Sequence, residues 1–200
     1  MITFKDLNPA EPYQQLKHFY DLAYESKQEI IEALCVSSFS SENNEVDSRF
    51  VNLKSVIDTN FIFFSNYRSP KSLQFKSHDQ ISAVIFWSKI NVQIRMKATI
   101  KKTSEAFSDN YFKNRQKSKN ALAISSDQSK PIESYELVEA QYKSTLENNS
   151  GSNLTRPSYW GGYAFIPNYF EFWQGQENRV NKRQVFIMDN GLWNKFFIQP

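Results

Sequence analysis

Along the first thirty residues the apolar positions Leu16, Phe19, Tyr20, Ala23 and Tyr24 recur at three- and four-residue spacing, which predicts an amphipathic helix over 9–31 with one buried face. The pattern then shortens. Residues 34–39 read as a strand, the polar cluster 40–45 as a turn and 46–55 as the partner strand, and Asp58-Thr59-Asn60 turns the chain into a further strand over 61–65. A short helix fits 69–76, followed by strands over 81–87 and 92–102. The second of these alternates without a break: Val92, Ile94, Met96, Ala98 and Ile100 fall on one face, and Gln93, Arg95, Lys97, Thr99 and Lys101 on the other. Helical spacing returns over 104–115, 120–125 and 132–146, and 148–156, rich in Asn, Ser and Gly, reads as a loop. Strands are predicted over 159–166, 169–173, 183–189 and 192–197, with Asn190-Gly191 as a tight hairpin turn between the last two.

Strands interrupted by helices, rather than alternating with them, predict a mainly β architecture: one domain over 1–200 built as a Greek-key-like β-barrel. Its helical additions are an N-terminal segment over 1–31 and an insertion over 104–147. Aromatic residues make up 16% of the chain, a richness that suits sheets and planar ligands. The formal net charge is only +3 and no Lys/Arg run exceeds two residues, so nucleic acid is not expected as a partner. Cys35 is the sole cysteine, which rules out an internal disulfide or a cysteine metal cluster and fits a reducing, cytoplasmic setting. Neither a signal-peptide pattern at 1–16 nor an apolar run of membrane-spanning length is present.

The chain is poor in reactive groups of its own. Its two histidines, His18 and His78, lie on the predicted first helix and in a polar turn, too few for a multi-histidine metal site and poorly placed for a triad. With five glycines and no Gly-x-Gly-x-x-Gly or Walker A stretch, any bound phosphate must be held largely by side chains. Asp47, Glu105 and Glu171 show no spacing that singles out an acid/base pair. Such a chain needs borrowed chemistry, hence a cofactor.

Five blocks carry a resemblance. Arg49-Phe50-Val51-Asn52-Leu53-Lys54, then Phe63-Phe64-Ser65-Asn66 with Ser69-Pro70-Lys71, then Gln93, then Gln128-Ser129, then Trp160-Gly161-Gly162-Tyr163 with Glu171-Phe172-Trp173-Gln174-Gly175 stand in the order found in the pyridoxamine 5'-phosphate oxidase family, which this chain resembles from about residue 48 to 200. The resemblance implies an FMN-binding split β-barrel that pairs as a homodimer, both subunits contributing to each flavin site. It implies cofactor contacts from Arg49, Phe50, Val51, Asn52, Leu53, Lys54, Phe64, Ser65, Lys71, Gln93, Gln128, Ser129, Trp173 and Arg183. For a phosphorylated substrate it implies Lys54, Tyr111, Arg115, Lys119, Arg179 and Asn181. The implied reaction moves a hydride from C4′ of pyridoxamine or pyridoxine 5'-phosphate to flavin N5, with oxygen as the final acceptor. No side chain is assigned as the catalyst and no metal is expected. A flavoenzyme of the same fold with another substrate, or a protein that holds FMN or a B6 phosphate without turnover, fits the same blocks.

The physical roles agree with the implied ones. Arg49 and Lys71 can supply cations to a phosphate, and Tyr111 and Arg115, four apart, share a helix face. The departures gather around substrate: Asn181 stands where the family has histidine, Phe197 where it has arginine, Pro70 where it has a basic residue, and Lys119 where it has serine. A basic N-terminal segment is also missing.

Overall fold

The computed structural model describes residues 1–148 and 154–200, so most of the loop expected over 148–156 lies outside the described residues. Among the described residues ten strands and five α-helices follow one another: β1 (Thr3–Lys5), α1 (Glu11–Glu25), β2 (Ala33–Ser40), β3 (Glu45–Asn52), β4 (Ser55–Ile57), β5 (Asn60–Asn66), α2 (Pro70–Ser77), β6 (Gln80–Trp87), β7 (Val92–Lys102), α3 (Glu105–Asn114), α4 (Lys117–Ser125), α5 (Tyr135–Asn148), β8 (Trp160–Gln174), β9 (Lys182–Asp189) and β10 (Leu192–Ile198). None of these helices is long and apolar enough to cross a membrane.

The strands form one mixed sheet in the order β1-β4-β5-β8-β7-β6-β2-β3, with β9 joined to β8 and β10 to β9. β1 and β4 pair in parallel. The barrel closes where β3 comes back against β5, and it divides along β8. Residues 160–165 of β8 border β5 on one side, residues 169–174 border β9 on that same side, and β7 runs along the other side of both halves. The alternation in β7 is realised: Val92, Ile94, Met96, Ala98 and Ile100 are buried in the core. α1 packs its Tyr13, Phe19 and Tyr20 onto the barrel aromatics, with Tyr13 edge-on to Phe170 at 5.3 Å and Phe19 against Phe172 at 5.8 Å. The hairpin between β9 and β10 turns on Asn190 and Gly191 at φ 48° and 81°, the left-handed pair that a two-residue type I′ turn requires.

Four expectations need correction. The first helix ends at Glu25 rather than 31, because Lys27 adopts φ 55° and the amides of Lys27 and Gln28 bond back to the carbonyls of Tyr24 and Ala23. That is a Schellman stop built without glycine. The strand expected over 46–55 divides in two: β3 ends at Asn52, Leu53 turns inward with its amide on the Glu32 carbonyl, and β4 takes up pairing with β5. The strands expected over 159–166 and 169–173 are one. Asn168 is the extra residue of a bulge opposite Lys97 and Ala98, and Pro167, which lacks an amide donor, sits where β8 changes neighbours. Finally, the segment 1–31 is not wholly helical, since Thr3–Lys5 forms β1 beside β4.

Two glycines let α3 close on β8. Gly162 donates its amide to Ser108 Oγ at 3.1 Å, and a Cβ there would lie 2.6 Å from Thr103 Oγ1 and 3.2 Å from Phe64 Cε1. Thr103 is β-branched and stiff. Gly162→Ala is therefore expected to lower stability by about 1–3 kcal/mol, read as a fall in urea midpoint at unchanged slope; an unchanged midpoint would contradict this packing.

Candidate functional site

A cleft of about 390 Å³ opens between the β3–β4 turn, β5, the start of β8 and the helices α3 and α4. Its side chains follow from local structure. Alternation along β3 sends Phe50 and Asn52 to one face, and the inward turn at Leu53 presents Lys54 at the cleft. The helix expected over 104–115 ends at Asn114, and Arg115 caps it in extended conformation at ψ 151°; Tyr111 on α3 and Arg115 just past its end nonetheless both line the cleft. On α4, Lys119, Leu122, Ala123 and Ser126 repeat at three and four and line the opposite wall.

Aromatic rings form one wall. Tyr111 stacks on Phe64 with centroids 3.6 Å apart and planes 13° apart, and Phe64 lies nearly parallel to Trp160 at 5.3 Å. The Arg115 guanidinium covers Trp160 at 4.8 Å and donates to the Lys119 carbonyl at 2.6 Å and to Asn120 Oδ1 at 3.3 Å. Burial pushes the Tyr111 hydroxyl above the ordinary phenol range, with Arg115 opposing. Arg156 fixes α3 against this wall: it pairs with Glu105, reaches Asp109 Oδ1 at 2.6 Å and donates to the Trp160 carbonyl at 2.6 Å.

Among the described residues the lining holds four cations, Lys54, Lys71, Arg115 and Lys119, and no carboxylate. Lys71 is the most enclosed, 8% exposed, and its ammonium donates to Ser65 Oγ at 3.4 Å and Ser69 Oγ at 3.2 Å. Burial, then the nearby Arg49, hold it below the ordinary lysine range. Burial likewise lowers Lys54; Glu32 opposes, and Lys119 and Arg115 add to the lowering. Like charges gathered in a concave, partly apolar site, with Glu32 near Lys54 and Asp47 near Lys71 lying outside the lining, are suited to a polyanionic ligand with a planar body.

Of the residues expected at the flavin and substrate, Phe50, Val51, Asn52, Lys54, Phe64, Ser65, Lys71, Tyr111, Arg115, Lys119 and Gln128 come together here. Arg49 stands behind the cleft: it bonds Ser38 Oγ at 2.6 Å and Gln74 Oε1 at 2.9 Å and pairs with Asp47. The Leu53 side chain is fully buried in the core, so only its backbone can face a ligand. Ser129 is exposed with φ 69° and lies off the lining. Asn66, Leu122, Ala123, Ser126 and Trp160 line the cleft without having been expected. The helical period of 119, 122, 123 and 126 was the available signal for the α4 wall.

Gln93, Trp173 and Arg183 form a separate group, a cross-strand row over β7, β8 and β9. Arg179 and Asn181 lie beyond it in the β8–β9 connection. Arg179 is exposed at φ 62°, and Asn181 Oδ1 accepts the Gln176 amide at 3.0 Å. This row and the cleft share a sheet surface, because Phe50, Cys35, Val84, Arg95 and Glu171 are successive cross-strand neighbours. Trp160 at the start of β8 lines the cleft whereas Trp173 lies near the strand's other end, about 40 Å along it at roughly 3.3 Å per residue, so one chain does not bring the two groups together.

A family model described as the pyridoxine 5'-phosphate oxidase C-terminal dimerisation region matches residues 160–200. A pyridoxine/pyridoxamine 5'-phosphate oxidase from Thermosynechococcus vestitus is 35% identical over 76% of this chain and 72% of its own length. Among solved structures, PhzG from Burkholderia lata 383, in complex with tetrahydrophenazine-1-carboxylic acid, superposes with a TM-score of 0.89 at 24% identity over 96% of this chain and 94% of that one. A pyridoxamine 5'-phosphate oxidase-related, FMN-binding protein from Nostoc punctiforme matches with a TM-score of 0.77 at 11% identity over 96% of this chain and 99% of that one. These likenesses confirm the split β-barrel fold.

The buried ammonium has a consequence for stability. Because the folded state lowers the Lys71 value, the unfolded chain binds the proton more tightly; the charged form costs stability at all pH below the folded value, and the cost fades as pH rises toward the ordinary lysine value of about 10.4. Lys71→Met is expected to raise stability at pH 7 by about 0.5–2 kcal/mol, with the gain shrinking at high pH. A lower urea midpoint for the variant at pH 7 would contradict it.

Proposed function

The chain belongs to the pyridoxine/pyridoxamine 5'-phosphate oxidase family, and from that premise we propose that it is an FMN-dependent oxidase of pyridoxamine and pyridoxine 5'-phosphates, working as a homodimer. The observation that carries the reading is the cleft with four cations, no carboxylate and an aromatic wall. FMN fits what is present: Lys71 is a buried ammonium bonded to neutral hydroxyls, the condition a phosphate would relieve. Lys71 and Ser65 would hold that phosphate, with Arg49 behind them adding charge and Gln128 closing from the side. The backbone and side chains over 49–54 and Phe64 would border the flavin.

Lys54, Tyr111, Arg115 and Lys119 would grip the substrate phosphate. Three cations and a phenol gathered at one place would anchor the phosphate arm, and since C4′ is carried on the ring carbon next to that arm, anchoring it restricts where C4′ can lie. FMN, when bound, would supply the two-electron acceptor for oxidation at C4′, with oxygen reduced to hydrogen peroxide; the alcohol gives the aldehyde directly, and the amine gives it with uptake of one water and release of ammonia. The protein's share is orientation and charge, the larger part of what such a reaction asks of it. Trp160, Phe64 and Tyr111 keep water from that wall.

Dimerisation follows from the same geometry. Phe50 lines the cleft and is 75% exposed on the sheet surface that also carries Gln93, Trp173 and Arg183. Pairing two such surfaces about a two-fold axis would bring Gln93, Trp173 and Arg183 of the partner subunit to this cleft, and Arg179 and Asn181 of the partner subunit to the substrate ring, while Ser129 follows Gln128 of this subunit's own lining. Phe86, Ile187, Phe196 and Phe197 are exposed apolar residues on or beside that surface.

A second reading, a flavoenzyme of this fold with a different substrate, is favoured by Asn181. Its amide oxygen is already used to staple the loop through Gln176, and it cannot titrate as a histidine would. The deciding experiment is aerobic turnover of both phosphates by the FMN-loaded protein with peroxide detection. One peroxide per aldehyde is expected; bound FMN without turnover of either would overturn the oxidase reading and leave the second. Arg115→Ala is expected to lower kcat/KM at least about tenfold, the worth of a charged hydrogen bond. Lys119→Ser should raise KM for phosphorylated more than for unphosphorylated substrates, and equal effects would remove Lys119 from the phosphate grip. Sedimentation at low micromolar concentration should show a dimer; a monomer that retains FMN would contradict the shared site.

A further inference from the structure

The outward face of β7, β8 and β9 carries a buried carboxylate to which the proposed reaction gives no role. Glu171 alternates with Phe170 and Phe172, both fully buried on the core side, so it points out of the barrel, yet it is 2% exposed. Side chains cover it. Arg183 donates from Nε at 2.9 Å and Nη2 at 2.7 Å, both to Oε1. Arg95 Nη1 reaches Oε2 at 3.0 Å, and the Tyr169 hydroxyl donates to the same oxygen at 3.0 Å. Burial, then the bond to Glu171 and its charge, push the Tyr169 hydroxyl up to about 12. A desolvated carboxylate is tolerated only when bonded this fully.

The register decides what the carboxylate can act on. Gln93, Trp173 and Arg183 are cross-strand neighbours in one row, and Arg95 and Glu171 occupy the next row on the same face. Arg183 also donates from Nη1 to the Gln199 carbonyl at 3.0 Å. Its Nε, one hydrogen of Nη2 and one of Nη1 are therefore committed within the subunit, and the remaining two of its five N–H groups are held in one direction. Arg95 spends a single nitrogen on the carboxylate and is 42% exposed.

We propose that Glu171 is a positioning residue for the cofactor: it locks Arg183 beside Trp173 and Gln93 and holds Arg95 within the same charged cluster. Two guanidinium groups and one carboxylate leave a net charge of +1 on this surface, presented in a fixed geometry toward the partner subunit's cleft. Glu171 touches no ligand in this arrangement and acts through Arg183. The inference rests on the FMN reading above, and its test separates the two.

The experiment measures FMN affinity by fluorescence quenching on the apoprotein for the parent, Glu171→Gln, Arg183→Gln and the double variant, together with the visible flavin spectrum and the urea midpoint of each. Glu171→Gln is expected to weaken FMN by about tenfold, as loss of a charged hydrogen-bond partner does, and to shift the flavin band, with Glu171→Asp recovering part of both. In the Arg183→Gln background the same change should cost nothing further, because a residue that acts through another has no effect once that other is gone. A merely structural role would lower the midpoint in both backgrounds and leave the band in place. Should Glu171→Gln fail to fold, the double variant, whose two amides can pair, is expected to fold and bind FMN as weakly as Arg183→Gln alone; tighter or parental binding would overturn the proposal. Equal affinity of folded Glu171→Gln and parent would also overturn it. A parent that fails to bind FMN at all would instead defeat the underlying reading.

Discussion

β8 has to satisfy two neighbours on one of its sides. Its first half bonds β5 and its second half bonds β9, while β7 accompanies it throughout. A strand cannot hand its hydrogen bonds from one neighbour to another without a local interruption, and Pro167 and the bulged Asn168 provide it where the pairing changes. Both halves of the proposed site hang on this strand. Trp160 and the two glycines after it build the aromatic wall and let α3 dock, and Glu171 and Trp173, eleven and thirteen residues after Trp160, organise two adjacent outward rows. At about 3.3 Å per residue these groups stand near opposite ends of the strand. That separation is why the chain presents a cleft in one place and its complement in another, and why a two-fold pairing is the economical way to unite them.

Charge is organised differently in the two places. On the outward face every buried charge is answered: Glu171 bonds two arginines and a tyrosine, and no buried side-chain polar atom among the described residues lacks a partner. In the cleft the cations have no carboxylate among the residues that line it. A fold selected for stability alone would replace Lys71 by an apolar residue, since burial penalises its charged form. Asp47 and Glu32 compensate Lys71 and Lys54 only in part, so the burial that costs stability is also what favours an anionic ligand.

Much of this was legible in the sequence wherever the signal is local. The unbroken alternation of 92–102, the Asn190-Gly191 turn and the spacing of Tyr111 and Arg115 each depend on neighbours a few residues away. The collinear blocks located most of the cleft. What escaped was set by contacts distant in sequence. Nothing near Lys27 distinguishes it from a helical lysine until its amide finds Tyr24, and Pro167 reads as a break because its tolerance depends on where β8 changes partners. The partners of Arg49 also escaped, since Ser38 and Gln74, which bond it along with Asp47, are brought to it by sheet pairing and by the packing of α2. Glu171 seemed an isolated carboxylate, since Arg95 lies seventy-six residues before it and only sheet register brings the two together.

The central claim is that the cleft's buried cations, Lys71 foremost, hold a phosphate on a planar ligand. Calorimetric titration of the apoprotein with FMN and with riboflavin, in the parent and in Lys71→Met, isolates that interaction as a cycle. The account predicts that the parent prefers FMN by at least about tenfold, the scale of a charged hydrogen bond, and that most of this preference is lost in the variant while riboflavin affinity barely changes. An FMN preference undiminished in Lys71→Met, or a parent that binds the two flavins equally, would contradict it.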